Sequence, residues 1–497
     1  MSARTATGAV ARATLTLWLR DVARVTHSST RQVIIGVTIS GVLAAALGAM
    51  LALIAAGQVV SDVPPELRTS MLRSSFGGGT ITAAAIAVAV GASAPPRTAL
   101  QNLMDLLPVS RAQARLGQLI PTFAISLAYT VALSTSGGLV LVRLNPEPAM
   151  RVAAIALYGV MLVTALVLST ALMALLYSAA GALRLPHQYS IAIAGALTLG
   201  AAMAASIPDI FATQPADRTL RDPLDLLPHR AFASLADGFA FFDAVLPALW
   251  VVAAGGLMWA ASRTRTVAAA SKRPALPRGT RPPMLTPFWG HVWTESLIAM
   301  RSPQFLTVTL LAPVAMAGLW AAARHPVVAM LAPSLSAAIV VLPFMLALYA
   351  VGRTAPFGWI ARAAGAGAGA HLGARLVASL AVPALLAVPL TIIAAAAGLL
   401  PLENIATTAL RCLLATVAAL VAGSLVPYSE QQPLSATAGG FVLAVMYLLV
   451  SLGITWVSTD VLPGAELGLT LAAIALFAGG YVLLADRGRG IHELRAS

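Results

Sequence analysis

Residues able to do chemistry are sparse in this chain, and their arrangement excludes more than it permits. Of the 31 basic residues only Lys272 is a lysine. It sits in SKRPALP with no glycine-rich loop before it, so the Walker A lysine that reaches nucleotide phosphates is missing. No HExxH, GxSxG or paired Cys/His ligand motif occurs. Cys412 is the sole cysteine, which excludes an intramolecular disulfide and a cysteine metal cluster. His187, His229, His325 and His371 read as scattered loop residues, with no metal spacing. Asp62 and Glu66 could serve a membrane glycosyltransferase, but beside Arg68 and Arg73 they read as solvated loop carboxylates. The expectation is a chain with no catalytic, cofactor-binding or metal-binding residues of its own.

The elements that must carry any function are apolar. The chain of 497 residues is 59% hydrophobic and 10% charged, against about 25% charged residues in an ordinary soluble domain. Uncharged runs long enough to cross a bilayer as a helix recur along its length. The predicted fold class is an all-α polytopic membrane protein of about twelve transmembrane helices. The predicted spans are 33–57, 79–95, 116–142, 152–182, 190–207, 241–262, 304–324, 332–352, 372–398, 405–427, 435–456 and 468–485. No short apolar region with a small-residue cleavage site marks a signal peptide at the N-terminus. With that end cytoplasmic, inside segments hold 22 basic and 6 acidic residues and outside segments 9 and 12. The positive-inside rule therefore puts both termini in the cytoplasm. A formal charge of +13 is then a matter of cytoplasmic loops and anionic headgroups rather than of nucleic acid. The preference for arginine points to a GC-rich bacterium, and so to its plasma membrane.

Two halves are predicted, 1–262 and 286–497, joined by a basic, Pro-rich cytoplasmic linker at 263–285. Arg97-Thr98-Ala99 recurs as Arg353-Thr354-Ala355, and Leu116-Gly117 as Leu372-Gly373, all at an offset of 256 residues. Each half opens on an amphipathic stretch. In the first, an interfacial helix over 10–30 has Leu15, Trp18, Val22 and Val25 on one side and Arg20, Asp21 and Arg24 opposite. In the second, Trp289, Val292, Trp293, Leu297 and Met300 form the apolar side, with His291, Glu295 and Arg301 as polar partners. Thr286-Pro287 supplies an N-cap and a first-turn proline. Trp18, Arg24, Trp289 and Trp293 are the predicted interfacial anchors. Two six-span halves, each led by such a helix, imply a pseudo-twofold axis along the membrane normal.

Between the second and third spans lies a polar island, LLPVSRAQARLGQLIP, at 106–121. Just before it, Leu100, Leu103, Met104 and Leu107 fall at helical spacing with Gln101, Asn102 and Asp105 on the other side. That pattern predicts a short surface helix over about 98–107, ended by Pro108. Ser110 and Gln113 form the capping-box pattern S-x-x-Q for the next helix, with Arg111 and Arg115 at its start. A plain return loop needs only a few residues, and this one spends about twenty.

The run from Leu107 to Leu119, LPVSR followed by G-x-L at the start of a span, resembles type-2 ABC export permeases. The segment DPLDLLPHRAFASLADG at 222–238 is similar to the one preceding that family's sixth span. The resemblance implies the membrane-spanning subunit of an exporter, with ATP and Mg bound by a separate P-loop ATPase present in two copies. It implies docking of that ATPase on a coupling helix, here through Gln101, Asn102, Asp105 and Arg111. The second half departs from the pattern. A run of Ala and Gly at 363–369 replaces LPVSRAQ, and the docking candidates within the coupling region 354–371 are Phe357, Trp359 and Arg362. The expected cargo is a small apolar or amphiphilic compound (a drug, an antibiotic or a lipid), because the predicted spans hold few charges that could bind an ion. The other reading is a gradient-driven secondary multidrug transporter.

Overall fold

The structure is a computed structural model. It describes residues 3–25, 29–56, 65–93, 110–145, 147–210, 223–238, 241–263, 286–323, 326–354, 368–428, 433–462 and 464–493. Every regular element among them is helical, as a bilayer demands of a chain that must satisfy its own backbone. Eleven helices are long and apolar enough to cross a membrane, and they coincide with eleven of the twelve predicted spans. The remaining one, 33–57, falls on a 27-residue helix, Thr30–Ala56. The architecture is that of a polytopic α-helical membrane protein. The chain clusters into two compact units. One comprises Met1–Arg20, Val33–Ala92 and Pro96–Ser271, the other Asp21–Gln32, Ser93–Pro95 and Lys272–Ser497. The predicted linker 263–285 lies, apart from Arg263, outside the described residues.

The helices of the first unit's sequence are α1 (Ala3–Val25), α2 (Thr30–Ala56), α3 (Pro65–Ser93), α4 (Arg111–Leu133) and α5 (Thr135–Leu144). They continue as α6 (Pro148–Ala182), α7 (His187–Ile210), α8 (Pro228–Gly238) and α9 (Val245–Arg263). The long helix α6 is the hub, packing on α4, α5, α7, α8 and α9. Leu72, Phe76, Leu141, Met161, Leu166 and Phe232 fill the core around it. Two predicted boundaries change. Helix α3 starts at Pro65 rather than 79, because its polar first turns hold Arg68 and Arg73, both half-buried, against acidic partners described below. The predicted span 116–142 is broken at Ser134, whose backbone leaves helical geometry (ψ 5) and whose carbonyl accepts the Tyr158 hydroxyl at 3.3 Å. The Tyr158 ring is gripped between Gly79 and Gly137, where a Cβ would collide with its hydroxyl.

In the second unit come α10 (Pro287–Met300), α11 (Pro303–Ala322) and α12 (Pro326–Val341). A 3₁₀ segment (Leu342–Tyr349) and α13 (Ala350–Thr354) continue the span that α12 begins. After them come α14 (Ala368–Ala396), α15 (Asn404–Leu425), α16 (Pro433–Trp456) and α17 (Glu466–Glu493). Helix α15 is central here: every residue from Leu414 to Gly423, Cys412 as well, is buried. The small side chains Ala415, Ala418, Ala419 and Ala422 let neighbouring backbones approach, as small residues do at helix contacts in lipid. By contrast only 11% of the apolar window Glu466–Leu484 in α17 is buried within the protein. An exposed surface that apolar is stable against lipid and not against water.

Candidate functional site

The predicted docking residues Gln101, Asn102 and Asp105, with the helix expected at 98–107, lie outside the described residues. So do Phe357, Trp359 and Arg362. What the structure does define is the pair of joints bracketing these polar segments: Ser93 and Ser110 around the first, Thr354 and Ala368 around the second.

At the first joint the capping box is formed. The Gln113 backbone N–H donates to Ser110 Oγ at 3.4 Å, and the Ser110 N–H donates to Gln113 Oε1 at 3.2 Å. Arg111 is the first residue of α4. One turn on, Gly117 meets α1 so closely that a Cβ would lie 2.6 Å from Val10 Cβ. Helix α1 offers Val10, Thr14 and Trp18, spaced by four and all buried, while Leu15, expected on the apolar side, is exposed. Trp18 therefore packs on protein. The predicted interfacial helix 10–30 is observed as Ala3–Val25, with Arg24 in its last turn.

At the second joint the leading helix is α10. Thr286 is its N-cap and Pro287 its first residue, but the Thr286 hydroxyl makes no capping hydrogen bond. Trp289 is exposed and Trp293 half-buried. Glu295, one of the polar partners expected opposite the apolar side, is buried at 8% exposure. Its Oε1 lies 3.5 Å from Arg375 Nε on α14, and Arg375 is itself 6% exposed. The Arg375 guanidinium donates to the Thr354 hydroxyl at 2.7 Å and lies 3.0 Å from His371 Nε2 and 3.5 Å from the Tyr481 hydroxyl. Burial holds the Glu295 carboxyl above the usual carboxylate range, opposed by the Arg375 charge and by hydrogen bonds from Thr354 and Arg375. One residue before Thr354, Arg353 donates to Gln304 on α11 and lies over the rings of Tyr349 and Tyr428. Gly373 on α14 faces Phe288 of α10, with 3.6 Å to an added Cβ. A cavity of about 30 Å³ beside Glu295, Ser302, Thr354 and Ser379 has room for a water or two and not for a cargo molecule.

A second charged cluster lies in the first unit. Asp209, near the end of α7, is 2% exposed and lies 2.6 Å from His229 Nε2 and 2.7 Å from the Arg230 guanidinium. Arg230 also reaches Asp225 at 3.3 Å, and Asp225 pairs with Arg73 of α3 at 3.2 Å. The Thr69 hydroxyl donates to Asp237 at 2.8 Å, and Arg68 pairs with Asp237 at 3.6 Å. These contacts fasten the buried helix α8 between α3 and α7. His229, expected in a loop, has no exposed surface, and His371 belongs to α14 beside His291, with ring centroids 5.8 Å apart.

Sequence reasoning missed Glu295–Arg375 and Asp209–His229–Arg230. Arg375 was visible as a charge inside a predicted span, which is rare unless paired; nothing local marked its partner, 80 positions away. Among the described residues no group of three His, Cys, Asp or Glu side chains is placed to hold a metal. No protein-family model matches the chain, and no curated protein sequence matches it either.

Proposed function

We propose that this chain is the membrane-spanning subunit of an ATP-binding-cassette exporter, with two permease halves in one polypeptide. Two copies of a separate P-loop ATPase bind ATP and Mg and dock on the polar segments around 98–107 and 354–371. Both termini lie in the bacterial cytoplasm, and an apolar or amphiphilic compound moves between the halves. The observation that carries this reading is the build of the two joints. In each, the leading helix packs on the glycine at the start of the span after the polar segment: Val10 on Gly117, and Phe288 at Gly373. A push on either segment thus reaches a span and a leading helix together. The lack of a Walker A lysine requires the ATPase to be another chain.

The test is purification of the full chain from its native membrane. A P-loop ATPase should accompany it in twofold excess and hydrolyse ATP. Asp105→Arg and Arg111→Glu should leave insertion and hydrolysis intact while abolishing export. A gradient-driven carrier is the second reading, favoured by the buried carboxylates Asp209 and Glu295, since buried ionisable groups mark proton paths. Cargo movement by the isolated chain under a proton gradient, without nucleotide, would establish that reading and remove the first.

A further inference from the structure

The span Ala332–Thr354 is not α-helical throughout. Its middle, Leu342–Tyr349, is eight residues of 3₁₀ helix, although 3₁₀ runs longer than three or four residues are uncommon and their hydrogen bonds are poorer. Pro343, in its first turn, has no N–H to continue an α-ladder. The remaining sequence pulls the other way, because Met345, Leu346, Ala347 and Leu348 are all good α-formers. What holds the 3₁₀ form is therefore packing. The Leu348 carbonyl lies on Gly423 of α15 so closely that any Cβ there would collide with it. Leu348 Cδ1 would be 3.2 Å from a Cβ at Gly439 of α16. Gly352 of α13 presses on the backbone of Tyr428. Gly423 and Gly439 thus form a groove cut to one conformation of a segment whose local sequence prefers another, and Gly352 seats the turn beyond it.

We propose that this segment is a converter of length and twist, switching between the 3₁₀ form and an α-helix. Both forms satisfy the backbone within the segment, as the bilayer requires. Rise falls from about 2.0 to 1.5 Å per residue and the turn per residue from about 120° to 100°. Over the segment the change shortens the span by about 4 Å and rotates its far end by roughly 160°. At that far end sit Arg353, bonded to Gln304, and Thr354, bonded to Arg375. Neither bond survives such a movement, so conversion detaches the end of the span from α11 and α14. Arg375 then keeps Glu295 as its partner without the Thr354 hydroxyl. The converter goes beyond the exporter reading, because it specifies the moving part and leaves the energy source open.

The experiment uses the full chain in lipid nanodiscs, with Cys412→Ala as background and nitroxides on cysteines at Ser334 and Val351. Pulsed EPR should show two distances about 4 Å apart, the longer one dominant. Pro343→Ala should move the population toward the shorter distance. A disulfide between Leu348→Cys and Gly439→Cys, closed before thioether-linked labels are attached at the other two cysteines, should remove the shorter distance. The disulfide arm decides the matter if Pro343→Ala does not assemble. A single distance in the parent chain overturns the converter, whether or not Pro343→Ala changes it. So does a shorter population that survives the disulfide. None of these outcomes depends on an ATPase, so the exporter reading stands or falls separately.

Discussion

The spans that precede the two polar segments are fastened at opposite ends and by different forces. Helix α3 is continuous from Pro65 to Ser93 and is tied near its start, where Arg68, Thr69 and Arg73 reach Asp237 and Asp225. Its counterpart, α12 through the 3₁₀ segment to α13, is tied at its finish. There Arg353 and Thr354 meet Gln304 and Arg375, and close backbone packing on glycine holds its middle. A span whose polar ties lie far from the polar segment, and which is one unbroken α-helix, behaves as a rod. A span fixed beside it and wound differently in the middle can change length. The sequence offset of 256 residues that relates Arg97-Thr98 to Arg353-Thr354 does not carry this mechanical likeness with it.

Four substitutions would break or sharpen that contrast. The largest effect is expected at Asp209→Ala, which leaves Arg230 and His229 buried without their carboxylate. Removing one partner of a buried pair costs about 3–5 kcal/mol, to be read as a lowered thermal midpoint in detergent, with hydrogen exchange rising in α3, α7 and α8. An unchanged midpoint would mean that charge does not fix the first unit. Next comes Gly423→Ala, where overpacking against the Leu348 carbonyl costs about 1–3 kcal/mol. Its exchange signature should be confined to Leu342–Thr354 and α15, and a uniform change across both units would deny the packing a local role.

Glu295→Gln probes the second joint by pH. Because burial raises its carboxyl, the native state holds the proton more tightly than the unfolded chain does. This group therefore favours the native state below the ordinary glutamate range. That contribution declines as pH rises through the window between the ordinary and the raised value, by at most about 1.4 kcal/mol per pH unit. The variant should flatten that part of the pH–stability curve, and an unaltered curve would show Glu295 to be uninvolved. The smallest effect is expected at Ser110→Ala. Loss of a cap typically costs about 1 kcal/mol and should appear as faster exchange over Arg111–Arg115, with no change in the second unit.

Much of the fold was readable because lipid leaves a chain few options. Length and apolarity locate spans such as 152–182 and 405–427 within a few residues, and S-x-x-Q at Ser110 locates a helix start by local hydrogen bonding alone. What escaped was everything that depends on residues distant in sequence. Arg68 and Arg73 look like loop residues until Asp225 and Asp237 are brought to them, so sequence alone starts α3 too late. Glu295 reads only as part of a polar helix side until Arg375 is brought to it. The 3₁₀ segment was invisible for the same reason: Met345 to Leu348 carry α propensity, and the groove that overrides it is made by Gly423 and Gly439 from helices yet to come. The polar faces proposed for docking, Gln101, Asn102 and Asp105, remain readings of sequence pattern.

Cys412 gives the molecule a clock of its own. It is the only thiol in the chain and lies buried in α15, the helix that also presents Gly423 to the 3₁₀ segment. A thiol reagent can react only when that helix opens, so the labelling rate of the unmodified protein counts openings of the second unit's centre. No engineered probe is needed, and the first unit is silent by composition.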